Sequence, residues 1–130
     1  MQLEVGHIEP VRVRGDDESM RRILLILLDN AIKYTPPRDN DGANRVTVSL
    51  ERGDGQAVLR VRDMGIGIDP EDMPHIFERF YRADRARSRQ GTGLGLSIAQ
   101  TLAEQLGGYI TAESIPGKGS TFSVWLPLDA

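Results

Sequence analysis

Ile23-Leu24-Leu25-Ile26-Leu27-Leu28-Asp29-Asn30-Ala31-Ile32-Lys33-Tyr34 runs into Thr35-Pro36-Pro37, and how that run folds settles what surrounds it. From residue 18 to residue 34 nothing interrupts a helix, and the paired prolines end it. Asp16 or Asp17 can cap it, and Glu18 adds negative charge to its first turn. Met20, Leu24, Leu27 and Ala31 form one stripe, while Leu25, Leu28 and Ile32 cover much of the opposite side, so the helix is expected to be largely buried against a sheet. Asn30 is out of place there, because Asn is a poor helix former and needs a partner when buried. Helical spacing sets Ile26, Asn30 and Lys33 on one side with Tyr34 beside them. An amide oxygen and an ammonium so placed can hold Mg²⁺ and phosphate together. A structural amide satisfied within the fold is the plainer alternative.

Outward from this helix the pattern turns to strands. Residues 11–14 alternate apolar and basic, which predicts a short strand before the helix. Beyond a polar loop over 38–44, residues 46–50 and 57–62 alternate on either side of Gly53-Asp54-Gly55 and predict a hairpin. Residues 70–77 predict a short helix capped by Asp69. A long helix opens at Gly95 and ends near Gly107-Gly108, and a last hairpin pairs 109–114 with 121–126. The order predicts an α+β two-layer sandwich, a mixed, mainly antiparallel sheet with helices on one face, as a single domain over 1–130.

Composition agrees with that size. The chain has 130 residues, 39% hydrophobic and 27% charged, with no cysteine. It can build one core, and it has neither a disulfide framework nor a thiolate metal site. The longest apolar run spans only 23–28, far below the roughly 18 residues that cross a membrane. The first residues lack the regions of a signal peptide, so the chain is expected to be soluble as it stands. A net charge of −3 argues against nucleic acid as a partner. Basic charge is nevertheless concentrated: Arg79, Arg82, Arg85, Arg87 and Arg89 are opposed only by Asp84. Either this is a solvated loop, or the guanidinium forks grip a polyanion.

Two further features bear on that choice. Gly91, Gly93 and Gly95 stand directly before an apolar helix, where backbone N–H groups can meet a phosphate. Simple loop flexibility is the alternative. A dinucleotide fingerprint is excluded, because an Arg-rich segment rather than a strand leads into these glycines. Gly117-Lys118-Gly119-Ser120 is not a P-loop, since it lacks the earlier glycine and sits in a hairpin turn. Asp63-Met64-Gly65-Ile66-Gly67 places a carboxylate at a strand exit beside two glycines. It can accept from an exocyclic amine such as that of adenine, or bond its own turn.

Four blocks in this order resemble the bacterial sensor histidine kinases. Residues 27–36 resemble their N box, residues 63–68 their G1 box, residues 76–84 their F box and residues 91–97 their G2 box; 107–108 and 116–122 fit the final hairpin. The resemblance implies the Bergerat-type (GHKL) ATP-binding fold shared with gyrase and the Hsp90 chaperones: a five-stranded mixed sheet backed by three helices. It implies that Asp63 receives the adenine amine, with Gly65, Gly67 and Ile68 around it and Tyr34 near the base. Asn30 would ligate Mg²⁺ and Lys33 would reach the phosphates. A lid over about 75–93 would carry Arg82 to the γ-phosphate, making Arg82 and Lys33 the catalytic pair. Arg89 or Arg87 would add a phosphate contact, and Thr92, Gly93, Leu94, Gly95 and Leu96 would give backbone donors. Arg79 and the F-box aromatics Phe77 and Phe80 would anchor the lid, Phe80 also bordering the ATP site.

Two departures from the family are visible. The N box usually has a second Asn one turn before Asn30, where relatives that hydrolyse ATP carry a basic carboxylate, and here that residue is Ile26. Ile26 can neither ligate a metal nor activate water, so slow intrinsic hydrolysis follows, and the strength of the Mg²⁺ site is left open. The phospho-accepting histidine and its helical hairpin are absent, since His7 and His75 lie in neither the helix nor the acidic setting such a histidine occupies. The expected function is to bind Mg·ATP and pass its γ-phosphoryl group to a histidine on a separate dimerisation domain, with a response regulator downstream. The domain would be a monomer by itself, would touch neither nucleic acid nor membrane, and would be the cytoplasmic part of a membrane-anchored kinase. The alternatives are a nucleotide-binding scaffold without transfer activity and a serine kinase of the anti-sigma-factor type.

Overall fold

The computed structural model describes residues 2–8, 13, 15, 17–34, 45–79 and 95–128. In chain order these form β1 (Gln2–Ile8), α1 (Asp17–Tyr34), β2 (Arg45–Gly53), β3 (Gln56–Asp63), a 3₁₀ turn (Met73–His75), α2 (Gly95–Gln105), β4 (Tyr109–Ile115) and β5 (Gly119–Pro127). The five strands make one sheet in the order β1-β2-β3-β5-β4. Only β1 and β2 run parallel; the other neighbours are antiparallel. A parallel pair cannot be joined by a tight turn, and α1 makes the crossover between β1 and β2. The β2–β3 hairpin closes through Asp54 (φ 50°) and Gly55 (φ 77°), the two left-handed residues a type I′ turn requires.

The helical layer holds α1 over β2 and β3, α2 over β4 and β5, and the 3₁₀ turn. Ile23, Leu27 and Ala31 of α1 are buried, as are Ala99 and Ala103 of α2, whose small side chains let the two helices approach. Beneath them the inner face of the sheet is built in rows. Leu50, Leu59, Val124 and Ile110 lie in register, as do Val48, Val61, Phe122 and Ala112. Each large apolar side chain fully buried here contributes about 1.5–3 kcal/mol.

Two local expectations are corrected, and one strand is additional to those expected. The additional strand is β1, Gln2–Ile8; of the strand expected over 11–14, Val13 makes an isolated bridge to Leu128, and 11, 12 and 14 lie outside the described residues. A bulge between Val5 and Ile8 breaks the two-residue alternation, yet sets Leu3, Val5 and Ile8 beside Val46, Val48 and Leu50. The short helix over 70–77 is one 3₁₀ turn: Pro74 has no N–H to donate, and Asp69 contributes its carbonyl, taking the N–H groups of Asp72 and Met73. Finally, α1 is buried on one side only. Leu25 (57% exposed) and Ile32 (49%) face outward, because the sheet and α2 cover a single face of the helix. No helix among the described residues is long and apolar enough to cross a membrane.

Candidate functional site

At one end of the inner face the apolar rows give way to a polar one: Val46, Asp63, Ser120 and Ser114 lie in register across β2, β3, β5 and β4. Asp63, the last residue of β3, is 2% exposed. Its Oδ1 accepts from the N–H of Gly65 at 2.9 Å and of Ser120 at 3.3 Å. Among the described residues its Oδ2 accepts from none. Burial pushes this carboxyl above the ordinary aspartate range, and the two N–H donors pull it only partly back. A buried acid with one oxygen fixed and the other unmatched is a site for a donor from outside the chain.

The loop that follows is held against the β4–β5 turn. Gly117 N–H donates to the Ile66 carbonyl at 2.7 Å, and Ile68 N–H to Ser114 Oγ at 2.7 Å. Gly67 (φ 76°) and Gly119 (φ 114°) make the contact possible. A Cβ on Gly67 would lie 2.4 Å from the Ile115 carbonyl oxygen, and one on Gly119 would lie 2.1 Å from that of Asp63. No side chain fits at either position. Thus Gly65 serves Asp63 by hydrogen bonding and Gly67 by close packing, while Ile68 is buried in the core.

On the helical side, Asn30 Nδ2 is buried and has no hydrogen-bond partner among the described residues. One turn earlier, Ile26 Cγ2 lies 3.4 Å from where a Cβ on Gly95 would be, so this flank of α1 meets the first residue of α2. The opening N–H groups of α2 have no partner within the helix and carry its positive dipole end. Leu96 packs on the core, and Gly95 is exposed. An orphaned N–H₂ donor beside a helix N-terminus fits an anion such as a polyphosphate. Among the described residues no group of three His, Asp or Glu could hold a metal ion, and Asn30 is the ligand that the family resemblance suggests.

Lys33 and Tyr34 belong to the last turn of α1. Phe80, Arg82, Arg87, Arg89, Thr92, Gly93 and Leu94 lie outside the described residues. Phe77, at the root of their segment, meets Phe122 edge-on, ring centroids 6.3 Å apart at 79°. His75 pairs with Glu78 at 2.8 Å, and His7 lies within β1. Sequence reasoning missed Ser114 and Ser120. The available signal is their phase: each stands where its strand otherwise turns Ile110 and Ala112, or Phe122 and Val124, to the core.

Comparison with known proteins gives this arrangement its place. Residues 15–130 match the family described as histidine kinase-, DNA gyrase B-, and HSP90-like ATPase. The chain is 45% identical over 118 residues to the sensor histidine kinase YkoH of Bacillus subtilis, covering 89% of this chain and 24% of that protein. It is 44% identical over 116 residues to the sensor histidine kinase RppB of Synechocystis, covering 88% and 24%. The mycobacterial sensor histidine kinase MprB superposes with a TM-score of 0.85 at 36% identity, over 98% of this chain and 83% of that one. Full-length ShkA, solved in complex with AMPPNP, superposes at 0.80 and 28% identity, over 98% and 26%.

A mixed five-stranded sheet with helices on one face and a buried carboxylate at the end of its central strand is the Bergerat (GHKL) ATPase fold. The chain belongs to the histidine kinase-, gyrase B- and HSP90-like ATPase family, as the catalytic-domain type found in bacterial sensor histidine kinases. It spans about a quarter of the length of the curated relatives it matches.

Proposed function

We propose that this domain binds Mg·ATP and donates the γ-phosphoryl group to a histidine on a separate dimerisation domain of a two-component sensor kinase. The observation that carries the reading is Asp63, whose buried carboxylate keeps one oxygen for an amine. That ShkA was solved with AMPPNP supports an adenine nucleotide as the ligand. Adenine N6–H donates to Asp63 with Tyr34 near the ring, Lys33 and Arg89 or Arg87 hold the phosphates, and Arg82 meets the γ-phosphate. Held at Asn30, Mg²⁺ supplies charge neutralisation at the phosphates. In transfer the acceptor imidazole nitrogen bonds to the γ-phosphorus as the bond to the bridging oxygen breaks. ADP leaves with that electron pair, and the ring proton passes to solvent. Such a reaction asks the protein for alignment and charge neutralisation, which the segment over about 75–93 supplies on closing.

The domain is read as one unit over 1–130, monomeric by itself, acting on the cytoplasmic side within a membrane-anchored kinase and upstream of a response regulator. Labelled γ-phosphate offered with a helical acceptor domain tests this. Acid-labile label on the acceptor supports histidine transfer, acid-stable label points to a serine kinase, and tight ATP binding with no transfer points to a scaffold.

Ile26 is the one feature that favours the scaffold, since it offers no oxygen beside Asn30. Ile26→Asn is therefore expected to tighten Mg²⁺-dependent ATP binding about tenfold by adding an oxygen donor. A Mg²⁺ titration at fixed ATP reads the change. An unaltered Mg²⁺ dependence places the cation away from this flank of α1.

A further inference from the structure

We propose that Ser114 is a positioning residue that holds Asp63 in its base-recognising orientation, an inference that rests on Asp63 accepting the adenine amine. Ser114 stands half-buried on β4, in register with Ser120, which is itself in register with Asp63. Its Oγ accepts the Ile68 N–H at 2.7 Å, donates to the Gly119 carbonyl at 3.0 Å and lies 3.0 Å from Ser120 Oγ. A hydroxyl has one proton and two lone pairs. With the proton on Gly119 and one lone pair on Ile68, the second lone pair takes the Ser120 proton. Every position of the hydroxyl is then filled, and the Ser120 hydroxyl is left with acceptor character alone.

The three partners belong to the two segments that hold Asp63. Ile68 closes the loop containing Gly65, the first donor to Asp63 Oδ1, and Gly119-Ser120 opens β5, which brings the second. One side chain thus links both donors of the carboxylate. The core does not need it: positions 110 and 112 in the same column are Ile and Ala, and an apolar residue at 114 would continue them. The two rows next to that of Asp63, Val48-Val61-Phe122-Ala112 and Leu50-Leu59-Val124-Ile110, are wholly apolar, and polarity enters at this end of the sheet in the row that contains Asp63. Removing the hydroxyl leaves the Ile68 N–H without a partner, the loop shifts to find one, and the carboxylate turns with it.

The test compares Ser114→Thr with Ser114→Val, two strand-favouring residues of nearly equal shape that differ in the hydroxyl. ATP affinity is measured for each in the 130-residue chain, alone and combined with Asp63→Asn, and the Gly65 and Ser120 amide resonances are recorded without nucleotide. Thr is expected to bind ATP within about twofold of the parent and Val about tenfold more weakly, with both amides displaced in Val and unmoved in Thr. In the Asp63→Asn background the two are expected to agree within about twofold, since the carboxylate through which Ser114 acts is gone. Equal affinities or unmoved amides in Val overturn the proposal, as does a tenfold gap that persists in the Asp63→Asn background. If Asp63→Asn alone binds ATP as tightly as the parent, the reading of Asp63 fails first and Ser114 loses its role with it.

Discussion

Replacing Asp63 by Asn is expected to weaken ATP binding about 100-fold while leaving the domain folded and, at neutral pH, no less stable. The asymmetry follows from which oxygen is occupied. Oδ1 takes the N–H groups of Gly65 and Ser120, and the amide oxygen of Asn serves them equally well. Its NH₂ must then sit where the second carboxylate oxygen was, so a donor faces the adenine amine and the pair repels. Stability moves the other way. Burial raises the Asp63 pKa, so between the ordinary aspartate value and the raised one the folded chain holds more protons than the unfolded chain. This group's contribution therefore makes stability fall as pH rises through that window, and the ionised acid remains a cost above it. The Asp63→Asn substitution removes that cost. The same shift makes ATP binding weaken on acidification at a higher pH than an ordinary aspartate would give. Calorimetry and thermal melts across pH check all three statements. A variant that loses stability in proportion to affinity would show Asp63 to be structural.

Arg82→Ala is expected to lower phosphoryl transfer to a supplied acceptor domain about 1,000-fold while changing ATP affinity no more than about threefold. An arginine that meets charge developing on the transferred group is worth far more in the transition state than in the ground state. Arg82 is assigned from the resemblance of the block over 76–84, whose Phe77 packs edge-on against Phe122. Transfer rates at saturating ATP, set beside calorimetric affinities, separate the two effects. Equal losses in both would make Arg82 a binding residue only. An unchanged rate would remove it from the reaction.

How far the sequence reveals this site depends on the physics each residue obeys. Helix α1 and both hairpins announce themselves through unbroken periodicity and turn residues, and Asp63 through a strand ending in a carboxylate beside glycines. Strand β1 hides because its bulge shifts the apolar phase between Val5 and Ile8. The outward face of α1 misleads because Leu25 and Ile32 read as core in any pattern, yet only the tertiary layers decide which face is covered. Gly67 and Gly119 read as loop freedom or ligand approach, and become specific only when the carbonyls of Ile115 and Asp63 are seen lying where a Cβ would be. Ser114 and Ser120 were legible in principle, as polar residues on the apolar phase of their strands. Their meaning needed the register that sets Ser120 beside Asp63 across 57 residues of chain and Ser114 beside Ser120.

Whether Asp63 makes this domain an adenine-nucleotide site is decided by calorimetric titration of the 130-residue chain with ATP and, separately, GTP, both with Mg²⁺. Saturable one-to-one binding of ATP is predicted, with GTP at least about tenfold weaker because its carbonyl would face the Asp63 carboxylate. Equal affinity for the two nucleotides, or no binding of either by a well-folded chain, would contradict the account.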